Sequence, residues 1–366
     1  MTASERMIMN KAPLLLIVNV GSTSTKVALF RGTQPVVQDT ITYSADELSG
    51  YAGLPDQLPR RRDGLNQFLQ KNDIRLPGID LFISRGGLGK PGPAGAYAID
   101  EAMCADLLTG KYGRHPSALG PAMMLDLAGQ YDRPAIIIDP PSTDEFDPLA
   151  RISGLPEIER RSAFHALNQK AAARRAARAI GRPYEDLRLV VAHLGGGITI
   201  GAHRKGRVVD CTHGLTEGPL TPERAGGLPT QDLVDLALSG TLDRKQLQLR
   251  LVGQGGLAAY LGTTDAKRVE ALIQQGDEKA RFVYQAMAYQ IAKDIGAMRV
   301  SLKGPADGIV LTGGLAYSEM LTGWIREWVE GLAPVFIYPG EDEMTAMAEG
   351  GLRVLSGEEP VRPYHG

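Results

Sequence analysis

The chain has little cysteine, almost no net charge and no long apolar run, and each shortage excludes something. Two cysteines in 366 residues, Cys104 and Cys211, give no disulfide framework and suit a reducing, cytoplasmic setting. A net charge of −2 leaves no basic field to hold nucleic acid. Residues 14–18 are as long an apolar run as any, far short of a bilayer span, so no membrane partner is expected. The N-terminus, "MTASERMIMNKAP", lacks the apolar core of a signal peptide. The G-x-x-x-x-G-K-[ST] pattern of P-loops is absent. No strand-to-helix junction carries the G-x-G-x-x-G dinucleotide fingerprint. His203, Cys211 and His213 are near in sequence, but their spacing fits no standard zinc set.

What the chain does have is glycine, 44 residues of it, often in pairs or triples at strand ends. Such glycines allow close approach of backbone to a ligand. The length exceeds one ordinary core, so two domains are expected. Apolar and β-branched patterning predicts strands over 14–20, 26–31 and 35–43, with turns short enough to make them antiparallel neighbours. A helix over 63–72 follows, then a strand over 79–87 and a helix over 117–130. A strand over 134–141 is stopped by proline, and an Ala- and Arg-rich helix spans 156–180. Arg160 and Arg161 then read as a solvated helix start.

The opening pattern recurs in "LVVAHLGGGITIGAHRKGRVVD", from Leu189. At one constant offset Asn19 falls on His193, Gly21 on Gly195, Thr25 on Thr199 and Gly32 on Gly206. The chain therefore reads as a duplicated α/β domain. The second copy continues with helices near 231–239, 243–252, 265–275 and 277–302. A strand over 307–318 ends in a glycine pair, and "APVFIYPG" is a last strand before a C-terminal helix, "EDEMTAMAEGGLRVLSG".

The turn over 21–25 combines backbone N–H groups with hydroxyls, and Lys26 adds a positive charge, a combination that suits phosphate oxygens. Alone, it reads equally well as a polar hairpin turn. Glycine-rich breaks, however, follow strands at 21–25, 86–89, 195–197 and 313–314, and several such loops around one cleft would hold a triphosphate. Phosphoryl transfer also needs cations, and carboxylates for Mg²⁺. Arg85 and Arg224 are the candidate cations, Asp139 and Glu349 the candidate carboxylates. Asp139 reads equally as an Asx-turn residue, and Glu349 alone as a surface-helix position. His193 ends a buried strand and His165 lies in "RRSAFHALNQK"; each also suits a hydrogen-bonded core histidine.

"NVGSTSTK", "RRSAFH", "HLGGGITIG", "LTEGPLTPERAGG" and "VLTGGLA", in that order, resemble the acetokinase family of carboxylate kinases. That family shares the duplicated ribonuclease-H-like fold of sugar kinases, heat-shock ATPases and actin. The resemblance covers nearly the whole chain. It implies two actin-like α/β domains with mixed sheets and an interdomain cleft. Residues 1–160 with a returning helix at 342–366 would form the first, and nucleotide-binding residues 161–341 the second. "GSTSTK" and "RGGLGKPGPAGAYAID" look like the butyrate and branched-chain fatty acid kinases of the family rather than its acetate kinases. The implied activity is reversible phosphorylation of a short-chain carboxylate by ATP, giving acyl phosphate and ADP, by an enzyme at least dimeric. Acetate or propionate kinase, sugar or polyol kinase, and a non-enzymatic ATP switch are the alternatives.

Residue by residue, the resemblance places Asn19, Ser22, Ser24 and Lys26 in a first phosphate loop. His193, Gly195, Gly196 and Gly197 fall in a second, and Gly313 and Gly314 against adenosine. Asp139 and Glu349 match acidic positions near Mg²⁺. His165 and Arg224 match residues that stabilise the transferring phosphoryl group. Arg85, in "SRGG" where the family has "HR…HGG", matches either that arginine or that histidine as a carboxylate anchor.

Overall fold

The computed structural model describes residues 12–365; the first part of the stretch read above for a signal peptide, residues 1–11, lies outside them. The chain divides into two units. Unit 1 holds the described residues up to Thr143 together with those from Asp342 onward, and unit 2 is Asp144–Glu341.

Unit 1 is built on a seven-stranded sheet. Its strands are β1 (Leu14–Val20), β2 (Ser24–Arg31), β3 (Gln34–Thr42), β4 (Leu81–Ser84), β5 (Ala96–Ala98), β6 (Ala135–Ile138) and, numbered last along the chain, β12 (Val361–Arg362). The order is β12-β5-β6-β4-β1-β2-β3. β1, β2 and β3 are antiparallel, while β4 joins β1 and β6 joins β4 in parallel. β1 is buried on both faces, which is why it reads as a continuous apolar run. Leu16, Val18 and Val20 pack with Leu65, Phe68 and Met123 from the helices Leu58–Lys71 and Leu119–Gly129. The helix Glu343–Leu355 also lies on this sheet. A methyl on its Gly350 would come within 2.7 Å of Ile138, and one on Gly351 within 2.5 Å of Ile83. This glycine pair serves close helix–sheet packing.

Unit 2 repeats the plan with β7 (Arg188–Leu194), β8 (Ile198–Arg204), β9 (Arg207–Cys211), β10 (Gly308–Gly313) and β11 (Val335–Pro339), in the order β11-β10-β7-β8-β9. Again three antiparallel strands are extended by two parallel ones. Leu189, Val191 and Val310 face an alanine stripe, Ala172, Ala173, Ala176 and Ala177, of the helix Ala166–Ile180. Val190, Ala192 and Leu311 face Tyr284, Met287 and Ile291 of the helix Glu278–Ser301. The duplicated α/β fold with mixed sheets is thus present, with one difference between copies. Val20 pairs with Thr25 across the first turn, but Leu194 pairs with Ile198 across the second. The second turn is one residue shorter, so Asn19 faces Lys26 whereas His193 faces Thr199.

Several sequence expectations are corrected. The helix expected over 156–180 begins only at Ala166. Arg160 is not a solvated helix start. It donates to both carboxylate oxygens of Glu217, to Asp210 and to the carbonyls of Ala150 and Cys211, all at 2.7–3.0 Å. These acceptors raise its pKa further, the Glu217 hydrogen bonds most. Residues 144–160, assigned to the first domain from sequence, fall in unit 2, where Arg160 bonds to Asp210, Cys211 and Glu217. The helix Glu101–Thr109 escapes the sequence reading, as do the short helix Gly256–Leu261 and the short strands β5 and β12. No helix among the described residues is long and apolar enough to cross a membrane.

Candidate active site

In unit 1 the first glycine turn is tight, with the Gly21 N–H bonded to the Ser24 carbonyl at 2.8 Å. It is held from beneath by Arg61, which is fully buried. Arg61 donates to the carbonyls of Ser22 and Ser24 at 2.9 Å and to Thr25 Oγ1 at 3.0 Å, and its guanidinium lies 4.2 Å from the centre of the Tyr43 ring. Burial pushes its pKa below the ordinary value. With these acceptors drawn inward, Ser22 and Lys26 lie exposed on the outer side of the turn and Ser24 is half-buried.

Asn19, at the end of β1, donates from Nδ2 to Glu343 Oε2 at 2.5 Å, and the other oxygen of Glu343 lies 3.1 Å from Arg85 Nη2. Glu343 therefore joins two of the residues singled out in the sequence, although it was not itself singled out. Burial first, then the Arg85 charge, lowers the pKa of the nearby His115. Asp139 ends β6 in a left-handed conformation, with φ of 40°. It is buried, and its Oδ1 accepts the Gly95 N–H at 2.9 Å while its own N–H donates to the Gly95 carbonyl at 3.0 Å. Glu349 is half-buried, further along the helix that Glu343 begins. Packing of Gly350 on Ile138 brings the immediate neighbours of Asp139 and Glu349 into contact.

In unit 2 the structure brings together what sequence could only name separately. His165 caps the helix Ala166–Ile180, and its ring stacks on His193 with centroids 3.7 Å apart and planes 11° apart. His193 is buried. Its Nδ1 is 2.8 Å from Asn168 Oδ1 and its Nε2 is 3.2 Å from Glu341 Oε1. An amide oxygen only accepts, so Nδ1 carries a proton. His165 Nδ1 is 2.9 Å from Thr199 Oγ1.

Arg224 lies against the glycine loop at 195–197. Its guanidinium occupies the space where any side chain on Gly197 would have to go. It donates to the Gly214 carbonyl and stands 3.8 Å from Glu223, while its Nε is buried with no hydrogen-bond partner. Burial lowers its pKa. Gly214 in turn donates to the carbonyl of Ala163, two residues before His165. Gly313 has φ of 88° and packs on the backbone of Leu194, so it cannot carry a side chain; Gly314 faces open space. Loops 195–197 and 313–314 therefore stand at the carboxyl ends of the adjacent parallel strands β7 and β10, where α/β sheets bind ligands.

The three residues weighed for zinc have other surroundings. His203 bonds to Tyr184 and Gln169, and burial pushes the Cys211 thiol up to about 12. Burial lowers the pKa of His213, which accepts the Leu215 N–H. Among the described residues, no group of three or more His, Cys, Asp or Glu is poised to hold a metal ion. Arg61, Glu343 and Asn168 are the supporting residues that sequence missed. Only Asn168 gave a signal, one helical turn beyond His165.

Residues 157–329 match the model of the acetokinase family. Three solved structures are similar over nearly the whole chain. Acetate kinase from Porphyromonas gingivalis has a TM-score of 0.77 at 18% identity, covering 94% of this chain and 100% of that one. Acetate kinase from Entamoeba histolytica gives 0.74 at 17%, covering 93% and 99%. A propionate kinase from Francisella tularensis subsp. tularensis SCHU S4 gives 0.72 at 17%, covering 92% and 98%. The chain thus carries an acetokinase-family match through most of unit 2 and has the two-domain α/β fold of acetate and propionate kinases.

Proposed function

We propose that the protein is a carboxylate kinase that transfers the γ-phosphoryl group of ATP to butyrate or a branched short-chain acid, reversibly, giving the acyl phosphate and ADP. The observation that carries this reading is the cluster of His165, His193 and Arg224 around the 195–197 loop. A carboxylate is ionised at neutral pH, with an ordinary pKa of about 4–5, so its oxygen attacks phosphorus without a general base. The residues then have to position the reactants and stabilise charge. Arg224 and His165 donate to oxygens of the phosphoryl group in transit, and the loop N–H groups hold the phosphate chain.

Mg²⁺, when bound, would neutralise charge on the nucleotide phosphates. It ordinarily takes one or two carboxylates and keeps several waters, which fits a sparse acidic set. Asp139 with Glu349 or Glu343 would supply it; Glu343 has the stronger geometric case, because Asn19 and Arg85 converge on it. Arg85 would anchor the carboxylate of the acid.

The preference for a four- or five-carbon acid rests on the butyrate-kinase-like segment "RGGLGKPGPAG". Two extra methylenes buried at about 0.8 kcal/mol each amount to roughly 1.6 kcal/mol, or about 15-fold in kcat/KM over acetate. The fold likeness to acetate and propionate kinases favours shorter acids as a second reading. Hydroxylamine trapping of acyl phosphate across straight and branched acids of two to six carbons, with sugars and polyols in parallel, decides between them. An optimum at four or five carbons supports the proposal. An optimum at acetate overturns the butyrate reading alone, and phosphorylation of a polyol instead of any acid overturns the carboxylate-kinase reading.

A further inference from the structure

Behind His165 runs a chain of buried hydrogen bonds. Gln169, four residues along the same helix, lies between Thr199 and His203 of β8. Its Nε2 is 3.0 Å from the Thr199 carbonyl and 2.9 Å from Thr199 Oγ1. A carbonyl only accepts, so this atom is the amide nitrogen and the orientation of the amide is fixed. The amide oxygen, Oε1, is 3.0 Å from His203 Nε2. That oxygen also only accepts, so His203 carries a proton on Nε2. His203 Nδ1 is 2.8 Å from the Tyr184 hydroxyl. Burial first, then Lys170 and Arg174, drives the His203 pKa well below its ordinary value, so the ring is neutral. Its Nδ1 is therefore an acceptor, and Tyr184 donates.

Thr199 Oγ1 accepts from Gln169 Nε2 and, more weakly at 3.4 Å, from the backbone N–H of His165. Its two lone pairs are then taken, and it has one proton to give. His165 Nδ1 lies 2.9 Å away. Thr199 donates to it, and the proton of the neutral His165 ring sits on Nε2. Thr199, Gln169 and His203 are all buried. A glycine makes the arrangement fit: a methyl on Gly201, between Thr199 and His203, would come within 2.5 Å of Gln169 Oε1.

We infer that Tyr184, His203, Gln169 and Thr199 form a positioning relay. It fixes His165 as the Nε2–H tautomer, so that the ring meets the phosphoryl group as a neutral hydrogen-bond donor. The inference rests on the proposed function only for what His165 meets. The tautomer itself follows from the hydrogen bonds. A partner that fixes the tautomer of a functional histidine acts through that histidine; for metal-binding histidines the loss of such a partner costs about 10- to 100-fold, and a similar scale is expected here.

The test is nitrogen-15 NMR of the full-length protein labelled at its six histidines, with His165 assigned by His165→Asn. Wild type should show a protonated Nε2 and a bare Nδ1 at His165. Thr199→Val should mix the two tautomers and lower kcat about 10-fold with little change in the KM for ATP, and Thr199→Ser should restore both. The wild-type spectrum needs no variant to fold, and a proton on Nδ1 there overturns the relay. So does a Thr199→Val enzyme with unchanged tautomer and kcat. If the tautomers behave as stated but wild type phosphorylates no acid, the relay stands and the proposed function falls.

Discussion

The two glycine turns descend from the same strand–turn–strand pattern, yet they are built on opposite principles. The turn at 21–25 is supported by a charge: buried Arg61 collects its carbonyls and the Thr25 hydroxyl from beneath. The turn at 195–197 is supported by an absence: Gly197, without a side chain, makes room for Arg224 to lie against the loop. The corresponding threonines show the divergence best. Thr25 accepts from Arg61, whereas Thr199 lies between Gln169 and His165. The shorter second turn puts the two hydroxyls at different register positions, Thr25 opposite Val20 and Thr199 opposite His193, and the neighbouring helix decides what each does. In unit 1 the cation holds the loop by hydrogen bonds from beneath; in unit 2 it packs against the loop where a side chain on Gly197 would be.

The sharpest way to break this contrast is to remove each cation. Arg224→Ala should lower kcat by about 100-fold or more with a modest change in the KM for ATP, because the proposed function has its guanidinium act on the transition state. Near-normal turnover by steady-state assay would show that Arg224 only packs. Arg61→Leu should act mainly on the fold. It leaves the carbonyls of Ser22 and Ser24, Thr25 Oγ1 and Gln57 Oε1 without their donor, and denaturant unfolding should register a loss of about 3 kcal/mol. A variant of unchanged stability and a 100-fold lower kcat would place Arg61 with Arg224 and erase the distinction.

Smaller effects sharpen it further. Glu343→Gln should raise the Mg²⁺ concentration for half-maximal activity about 10-fold, while Glu349→Gln should move it much less. The reverse order would return the metal to Glu349. The smallest effect concerns Asp294 in unit 2, whose half-buried carboxyl is pushed up to about 6, mainly by burial and further by Glu217. Its folded pKa lies above the unfolded one, so the fold favours the protonated form. Stability from this group is full below about pH 4 and is lost as pH rises through about 6. Asp294→Asn should therefore raise the melting temperature by a few degrees at pH 8 and by nothing below pH 4. An equal shift at both pH values would trace the effect to packing.

Much of this was legible in the sequence for one reason: the two central strands are buried on both faces and announce themselves as apolar runs ending in glycine. The constant offset from Asn19 to His193 needed only that pattern. The one-residue slip in pairing was not legible, because turn length and register are settled by the whole sheet. Glycine was the least reliable sign. Gly197 and Gly313 do permit close approach near the loops, but Gly350 and Gly351 only let a helix settle on Ile138 and Ile83. Residues such as Arg61 and Glu343 stayed hidden because nothing local marks a charge that will be buried against a distant turn. The stacking of His165 on His193 belongs to the same class: each histidine was visible, and only the fold made them a pair.

The return of the chain to unit 1 has a consequence for how the protein is made. Unit 2 is one continuous stretch, whereas unit 1 is split between its two ends. The strands β1, β4 and β6 leave the ribosome long before the helix Glu343–Leu355 and β12, which complete their sheet. At about 5–20 residues per second, the roughly 200 intervening residues take on the order of 10–40 s. For that time an apolar sheet face around Ile83 and Ile138 is without its helix, while unit 2 has all its parts. During synthesis, the half of the chain that begins first is the half that finishes last.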